Sequence, residues 1–230
     1  MTQQSRLRIG MIVPPAADEV PPEAETLYPN GVQFIARGLG ISGVSVDGFD
    51  EALDRLPSAV LSLRSQDVDA ISLMGTSISF YKGHDGHRQL LDRLRELAGT
   101  TPVTTMAGAI IDGLRSVDAK RLVVGAAYTD DLLDRLVTFL AEAGFEVVGS
   151  GGLDLSDVDR VLNTDTDTLV EFGVRLIESA PPCDALLVSC GGLRTLKMTE
   201  VLEDRFGIPV VSSAVAGCHD AVSVARSVTR

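Results

Sequence analysis

Two short stretches of the sequence indicate the fold. They are SLMGTSISFY at residues 72–81 and LLVSCGGL at residues 186–193. Each is the end of an apolar run that stops in a loop of glycine and small polar residues. Such runs are typical of strands buried on both faces of a parallel sheet. Gly75 in the first loop and Cys190 in the second are 115 positions apart, half of the 230-residue chain. The sequence therefore repeats one kind of strand end and places a thiol in only one copy.

Other apolar runs indicate the remaining strands. The continuous runs are residues 7–13, 68–74, 121–127, 184–189 and 208–213, and the weaker ones are residues 43–47, 101–106 and 145–149. Amphipathic segments with helical spacing separate them, and Pro57 predicts a kink or a new helix within one of these segments. The alternation of strands and helices predicts an α/β fold with parallel sheets.

The order of motifs repeats between the two halves of the chain. RIGMIVPP begins at residue 8 and its counterpart RLVVGAAY at residue 121, an offset of 113 residues. DAISLMGTS at residue 69 matches DALLVSCGG at residue 184, an offset of 115. TPVTTMAGA at residue 101 matches IPVVSSAVAG at residue 208, an offset of 107. Any two buried strands look alike, but the shared order and the loops that follow favour duplication. We expect two pseudo-symmetric α/β halves, residues 1–105 with 213–230 and residues 106–212. Ligands bind at the carboxyl ends of parallel strands, so we place the active site in the cleft between the halves.

The composition limits the kinds of partner. The chain has 32 acidic and 20 basic residues and a net charge of −12, which argues against nucleic acid or an anionic membrane as its main partner. No segment has about 18 uninterrupted apolar residues, so no membrane-spanning helix is expected. The three cysteines, Cys183, Cys190 and Cys218, are sparse and lack zinc-ligand spacing, which favours a reduced cytoplasmic protein. A monomer is compatible with these features.

Cys190 is the strongest candidate for a reactive group. A lone buried cysteine is usually a small apolar residue, but this one ends a predicted strand beside the glycines at residues 191–192. Backbone N–H groups there, at the start of a following helix, would bind a carboxylate and tune the thiol. Residues 75–77 form the matching loop, which on its own is read as a turn. Cys183 and Cys218 are expected to be structural.

Three other features have simpler explanations. His84 and His87 lie three positions apart with Asp85 between them, but this set is too loose to indicate a metal, and a solvated helix start explains it better. His219 has no identifiable partner in the sequence. The proline-rich acidic segment at residues 14–30 fits a lid, a cleft wall or a loop without function. No glycine-rich nucleotide motif is present.

Four motifs together resemble the arylmalonate decarboxylase family of the aspartate/glutamate racemase superfamily. They are IGMIVPPAA near the start, SLMGTSISFY, AAYTDD at residues 126–131 and SCGGL at residues 189–193. The resemblance extends from about residue 6 to at least residue 217. It implies a two-domain pseudo-symmetric α/β fold. It also implies cofactor-independent decarboxylation of disubstituted aryl- or alkenyl-malonates to chiral 2-substituted carboxylic acids, with a small dicarboxylate as the partner. The reaction that the resemblance implies uses neither metal nor cofactor, and the lack of a glycine-rich nucleotide motif is consistent with it.

The resemblance also implies the roles of individual residues. One substrate carboxylate would be held in a dioxyanion hole, the other would leave as CO2 from an apolar pocket, and Cys190 would protonate the enediolate. The substrate-binding residues implied in this way are Gly75, Thr76, Ser77, Tyr128, Gly191, Gly192, Pro14, Pro15, Ile41, Val44, Phe49, Val158 and Val161. Phe49 stands where the family usually has a tyrosine, which affects the expected substrate size and not the reaction.

Two alternatives remain open at this point. The superfamily's racemases carry one cysteine in each half, and the position opposite Cys190 is Gly75 here, which argues against a maleate isomerase or an amino-acid racemase. A non-catalytic protein that binds a small carboxylate would use the same donors. Only the thiol of Cys190, which would have no role in such a binding protein, argues against this alternative.

Overall fold

The computed structural model describes residues 6–41 and 43–228. Within them the strands are β1 (Leu7–Val13), β2 (Val32–Gly38), β3 (Ala70–Leu73), β4 (Val103–Thr105), β5 (Arg121–Ala126), β6 (Glu146–Gly152), β7 (Ala185–Ser189) and β8 (Val210–Ser212). The helices are α1 (Pro22–Leu27), α2 (Val46–Leu53), α3 (Leu56–Arg64), α4 (Thr76–Phe80), α5 (Gly83–Ala98), α6 (Met106–Ser116), α7 (Asp130–Glu142), α8 (Val158–Leu162), α9 (Thr166–Ser179), α10 (Leu196–Phe206) and α11 (Ser213–Val228).

The strands form two separate sheets of four strands each, in the orders β2-β1-β3-β4 and β6-β5-β7-β8. Every described strand pair in both sheets is parallel. The two orders are identical when the second half is counted from β5, so the predicted α/β fold of two pseudo-symmetric halves is confirmed. β3 and β7 hold the same place in their sheets, and the two loops that decide the fold follow these strands.

Most of the strand predictions are confirmed. Each of the five continuous apolar runs contains a strand, and the weaker runs at residues 101–106 and 145–149 contain β4 and the start of β6. The sequence analysis missed β2, an edge strand in which only Val32 and Ala36 are buried. A strand half covered by solvent does not need the continuous apolar run that marks the central strands.

The predicted strand at residues 43–47 is wrong. Gly43 makes only an isolated antiparallel bridge with Asp157, and α2 begins at Val46. The side chain of Ser45 accepts a hydrogen bond from a backbone N–H in the first turn of this helix, so a helix cap stands where the alternation of apolar residues indicates a strand.

The helices between the strands follow ordinary rules for helix ends. Pro57 lies in the first turn of α3 and therefore begins a new helix instead of bending an existing one. Among the residues that the structure describes, no helix is both long and apolar enough to cross a membrane.

The last helix returns to the first sheet. α11 follows β8 of the second sheet but packs against β1, β3 and β4 of the first, and also against α6. This packing is what the predicted division into residues 1–105 with 213–230 and residues 106–212 requires. The division itself remains a prediction.

Glycine ends one edge strand in each sheet, β2 and β6, for the same packing reason. Gly38 at the end of β2 lies against the carbonyl groups of Pro15 and Ala16, and Gly152 at the end of β6 lies against the carbonyl group of Tyr128. A Cβ atom at either glycine would overlap a backbone oxygen, which cannot turn away as a side chain does. In each half, the segment that follows the first strand is therefore held tightly against the edge strand.

This packing predicts the effect of adding one methyl group. Gly152→Ala should lower the free energy of unfolding by about 1–3 kcal/mol, because the new Cβ must displace the carbonyl group of Tyr128. Gly43→Ala is the control, since the nearest atom to its added Cβ is 3.8 Å away, and it should change stability by less than about 0.5 kcal/mol. Denaturant unfolding measures both, and equal stabilities for the two variants would contradict this account of the packing.

Candidate active site

The candidate site lies where the carboxyl ends of strands from both sheets meet. Cys190 directly follows β7, and Tyr128 lies two residues after β5, both in the second sheet. Gly75 follows β3 of the first sheet and immediately precedes α4. A Cβ atom added at Gly191 would lie 3.1 Å from the carbonyl oxygen of Met74. The two loops that the sequence analysis singled out are therefore in contact.

A cluster of hydroxyl groups surrounds the side chain of Tyr128. Its hydroxyl lies 3.1 Å from Oγ of Ser189, and it also shares hydrogen bonds with the side chains of Thr76 and Ser77. Ser189 belongs to the second sheet, whereas Thr76 and Ser77 begin α4 in the first half. The cluster thus joins the two halves by hydrogen bonds and gathers several O–H donors in one place.

The hydroxyl of Tyr128 is held in its protonated form. Burial raises its pKa above the ordinary value, and the neighbouring Cys190 raises it further, although the hydroxyls of Ser189, Thr76 and Ser77 lower it. Only 1% of this residue is exposed to solvent. A buried neutral phenol can donate a hydrogen bond to an anion without losing its proton.

Cys190 has an unusual backbone and a protonated side chain. Its φ angle is 152°, a conformation that residues with a side chain rarely adopt and that costs energy. Burial raises the pKa of its thiol to about 11, although the backbone N–H groups of Gly192 and Leu193 donate to the sulfur and lower it. At neutral pH the group is therefore a thiol, which is a proton donor and a poor nucleophile.

Close packing explains the glycines of both loops. A Cβ atom would lie 2.8 Å from Sδ of Met106 at Gly191, 3.0 Å from Val161 at Gly192, and 3.0 Å from Pro14 at Gly75. These separations are shorter than ordinary van der Waals contacts, so only glycine fits without displacing its neighbours. The contacts place two of the expected substrate-binding residues, Pro14 and Val161, against the loops.

The other residues expected to form an apolar pocket lie on two segments that meet. The N–H of Ile41 donates to the carbonyl of Pro14 at 2.8 Å, and the N–H of Val44 donates to the carbonyl of Ser156 at 3.0 Å. Ser156 lies just before α8, which carries Val158 and Val161. The backbone thus connects the pocket segment of the first half to that of the second.

These pocket residues differ in burial. Ile41, Phe49 and Val161 are buried, whereas Val44 and Val158 are only half-buried. The ring of Phe49 packs edge-on against that of Tyr81, with ring centroids 5.2 Å apart. Pro15 contributes its carbonyl, which accepts a hydrogen bond from the N–H of Gly40.

Several sequence predictions about this region are wrong. No helix begins directly after Cys190, because α10 starts only at Leu196. His84 and His87 lie at the start of α5 as predicted, but they are half-buried and not solvated. The first bonds to the carbonyl of Phe139 at 2.8 Å and the second to Oγ1 of Thr105 at 2.7 Å. Both are satisfied by protein atoms. In the described part of the chain, no group of three potential ligands among histidine, cysteine, aspartate and glutamate is suitably placed for a metal.

His219 has a partner that the sequence did not reveal. Its Nδ1 atom lies 2.6 Å from the hydroxyl of Tyr28. With Ser223, Arg226 and Ser227, these two residues line a surface pocket of about 610 Å³ between α1 and α11. None of the expected substrate-binding residues lines it, so the candidate site is assigned from its chemistry and not from the size of a cavity.

Two residues near the site were missed by the sequence analysis. Ser189 bonds to Tyr128, and Met106 accepts a hydrogen bond from Oγ1 of Thr76 at 3.0 Å. Ser189 stands next to Cys190 at the end of an apolar run, which is a usable signal. Met106 has no such signal, because an apolar residue at a helix start normally indicates only core packing.

The raised pKa of Cys190 can be tested without a substrate. The thiolate is the form that iodoacetamide alkylates, so the alkylation rate of Cys190 should rise about tenfold per pH unit from pH 8 to 10 and level off only near pH 11. Mass spectrometry of the peptide that contains Cys190 distinguishes it from Cys183 and Cys218, and glutathione serves as an exposed reference thiol. A rate for Cys190 that levels off below pH 9 would contradict the raised pKa of this half-buried residue.

Two groups of known enzymes are similar to this chain. A family model described as "Arylmalonate decarboxylase" matches residues 9–230. The arylmalonate decarboxylase of Bordetella bronchiseptica is 43% identical over 225 residues, which cover 98% of this chain and 93% of that protein. The maleate isomerase of Geobacillus stearothermophilus is 26% identical over 228 residues, covering 91% and 88%.

Solved structures show the same two relationships. The liganded form of a double mutant of arylmalonate decarboxylase superposes with a TM-score of 0.92 at 42% identity, covering 95% of this chain and 92% of that one. The maleate isomerase of Pseudomonas putida S16 superposes with a TM-score of 0.84 at 26% identity, covering 94% and 92%.

Two parallel sheets of identical strand order, with a cysteine loop where they meet, define an α/β protein of the aspartate/glutamate racemase-like class. Within that class, the match over residues 9–230 and the 43% identity are decisive. The chain belongs to the arylmalonate decarboxylase family.

Proposed function

We propose that this protein is a carbon–carbon lyase that decarboxylates disubstituted aryl- or alkenyl-malonates without a cofactor and releases chiral 2-substituted carboxylic acids. The observation that carries the proposal is the single thiol of Cys190 beside the hydroxyl cluster around Tyr128, with Gly75 on the opposite loop. The arylmalonate decarboxylase of Bordetella bronchiseptica, similar over nearly the whole chain, supports the reaction type.

One substrate carboxylate would be bound by the hydroxyl cluster. Thr76, Ser77 and Tyr128 provide O–H groups from both halves of the protein, and the backbone N–H groups of Cys190 and Gly191 would add donors. Several neutral donors can hold an anion tightly in a buried site while leaving its charge in place. These residues, with Gly75, Gly191 and Gly192, would form the dioxyanion hole.

The second carboxylate would face the apolar side of the cleft, formed by Pro14, Pro15, Ile41, Val44, Phe49, Val158 and Val161. A charge beside apolar side chains is poorly solvated, so its loss as neutral CO2 is favoured. The bond between the α-carbon and this carboxylate breaks, and its electron pair delocalises into the carboxylate that remains. The hydroxyl cluster would stabilise the enediolate by donating hydrogen bonds to the oxygens that gain charge.

Cys190 would complete the reaction as the proton donor. Its thiol proton passes to one face of the α-carbon, and the thiolate recovers a proton from water. Because burial raises the pKa of this thiol to about 11, the group stays protonated between turnovers. Delivery from one side would give an excess of one enantiomer of the product.

The position of Gly75 distinguishes this proposal from its alternatives. A racemase that removes a proton from one face and returns it to the other needs a second acid or base opposite Cys190. Glycine cannot serve, and a larger residue at this position would meet Pro14 and Ile78. Decarboxylation needs only one proton donor, because CO2 loss itself creates the carbanion.

The cysteines support the proposed cellular setting. Cys183, Cys190 and Cys218 are all free thiols. A reducing compartment such as the cytoplasm would keep the donor thiol in the form that the reaction needs.

The proposal predicts release of CO2 from phenylmalonate by the purified protein. Cys190→Ser should lower the rate by about 100-fold or more, since a hydroxyl is a far weaker acid than a thiol. Cys183→Ser is the matched control, because its thiol belongs to another part of the second sheet, and it should keep the full rate. Release of CO2 would be followed in a bicarbonate-coupled assay.

Two results would contradict the proposal. One is no CO2 from phenylmalonate or its 2-methyl derivative with folded wild-type protein. The other is turnover of maleate to fumarate, which would assign the isomerase reaction instead.

A further inference from the structure

We infer that Glu23 is a positioning residue for the proposed reaction: its buried carboxylate holds in place the far end of the loop that carries Cys190. The inference rests on the proposed function for its effect on turnover, but the contacts are independent of it. Glu23 lies on α1, in the proline-rich segment of the first half, and the loop belongs to the second half. The sequence analysis assigned no role to this residue.

Glu23 makes two hydrogen bonds across the halves. One carboxylate oxygen accepts the backbone N–H of Leu196 at 2.6 Å, and the other accepts the hydroxyl of Thr195 at 3.0 Å. Only 6% of Glu23 and none of Thr195 is exposed to solvent. Burying a carboxylate is costly unless several donors meet it, so a carboxylate at this place requires a specific reason.

The helix that follows the Cys190 loop lacks a cap of its own. Thr195 occupies the cap position of α10, but its side chain makes no capping bond to this helix. The first N–H groups of a helix have no partner within the helix and need acceptors from elsewhere. Glu23 supplies that acceptor to Leu196 from the other half of the protein.

The same carboxylate ends a chain of hydroxyl groups. Oγ1 of Thr195 lies 2.7 Å from Oγ of Ser212, which accepts the N–H of Val215 at 3.2 Å. Each hydroxyl has one proton to donate. Since Glu23 can only accept when ionised, Thr195 donates to Glu23 and Ser212 donates to Thr195. The chain connects the starts of α10 and α11 to one charged acceptor.

Both ends of the Cys190 loop are therefore anchored. At one end, the carbonyl of Ser189 accepts the N–H of Ala127 in the second sheet at 3.2 Å. At the other end, Glu23 holds Thr195 and Leu196. Only residues 190–194 lie between these two anchors.

Between the anchors lie the groups that act on the substrate. The N–H groups of Gly192 and Leu193 donate to the sulfur of Cys190, and the N–H of Leu193 also lies 3.3 Å from the carbonyl of Cys190. The unfavourable φ angle of Cys190 persists only while the surrounding contacts enforce it. Loss of the Glu23 anchor should let the loop relax and move the thiol away from the α-carbon.

One donor faces each oxygen of the Glu23 carboxyl group. Burial raises the pKa of this group above its ordinary value, although the bonds from Leu196 and Thr195 and the positive charge of Arg194 oppose that shift. The thiol of Cys218 also faces Glu23, and burial together with the charge of Glu23 keeps that thiol protonated.

The test compares Glu23→Gln with Glu25→Gln. Both substitutions remove one acidic charge from the first turn of α1, but Glu25 is exposed. With phenylmalonate, Glu23→Gln should lower kcat about 10- to 100-fold, the cost of losing a hydrogen bond to a charged group. KM should change much less than kcat, because the hydroxyls of Thr76, Ser77 and Tyr128, which would bind most of the carboxylate, lie outside the loop. With 2-methyl-2-phenylmalonate, the enantiomeric excess of the product should also fall.

The enantiomeric excess separates positioning from a general loss of stability. Partial unfolding lowers the amount of active enzyme but leaves the stereochemistry of each turnover unchanged. A displaced thiol instead lets water compete for the protonation step. Unchanged kcat and enantiomeric excess in folded Glu23→Gln would overturn the inference, as would an equal loss in Glu25→Gln.

A second pair of variants guards against misfolding at position 23. Thr195→Val removes the hydroxyl at nearly constant volume, and Thr195→Ser retains it. Thr195→Val should lower both kcat and the enantiomeric excess, by less than Glu23→Gln does. Thr195→Ser should keep kcat within about threefold of wild type. Equal activities in these two variants would overturn the role of the carboxylate–hydroxyl contact.

Hydrogen–deuterium exchange tests the anchor without a substrate. In Glu23→Gln, exchange in the peptide that covers residues 190–196 should quicken by about tenfold or more, whereas exchange in β1 and β5 should not change. If wild-type protein releases no CO2 but this local change occurs, the proposed function fails and the anchor stands. If wild-type protein releases CO2 but exchange at residues 190–196 is unchanged in Glu23→Gln, the role of Glu23 as an anchor is rejected and the proposed function stands.

Discussion

The buried hydroxyl of Tyr128 is the interaction on which the site depends, because it joins the two halves beside Cys190, the thiol that has no counterpart at Gly75. It bonds to Ser189 of its own sheet and to Thr76 and Ser77 of the other. The carbonyl of the same residue is pressed against Gly152 at the end of β6. A displacement of Tyr128 would therefore disturb an edge strand, the hydroxyl cluster and the relation between the halves together.

The two sheets have the same architecture, and the chemistry of the site comes from the differences between their loops. Both sheets have the same strand order, and the matching edge strands β2 and β6 each end in a glycine held against a backbone carbonyl. The loop after β3 contributes hydroxyls and no thiol, whereas the loop after β7 contributes the thiol of Cys190. A symmetric pair of thiols would suit proton exchange on two faces. One thiol opposite a glycine suits a carbanion that is formed by loss of CO2 and protonated once.

The sequence predicted the parts of this arrangement that follow local rules. Continuous apolar runs marked the central strands, and the glycines beside Cys190 marked a close approach of backbone that the structure confirms. The edge strand β2 was missed because most of its residues are only half-buried. The segment around the helix cap Ser45 was predicted as a strand because its apolar and polar residues alternate as they do in a strand. Glu23 and Met106 were missed for another reason: their partners, Leu196 and Thr76, are distant in the chain. No local pattern reports such contacts.

The central claim is that one thiol, on one face, delivers the proton after CO2 is lost. Decarboxylation of 2-methyl-2-phenylmalonate in D2O tests it most directly, with the product examined by mass spectrometry and chiral chromatography. The account predicts 2-phenylpropionate with one deuterium at the α-carbon and a large excess of one enantiomer. A racemic product from folded wild-type protein would contradict it, because protonation would then come from solvent and not from Cys190.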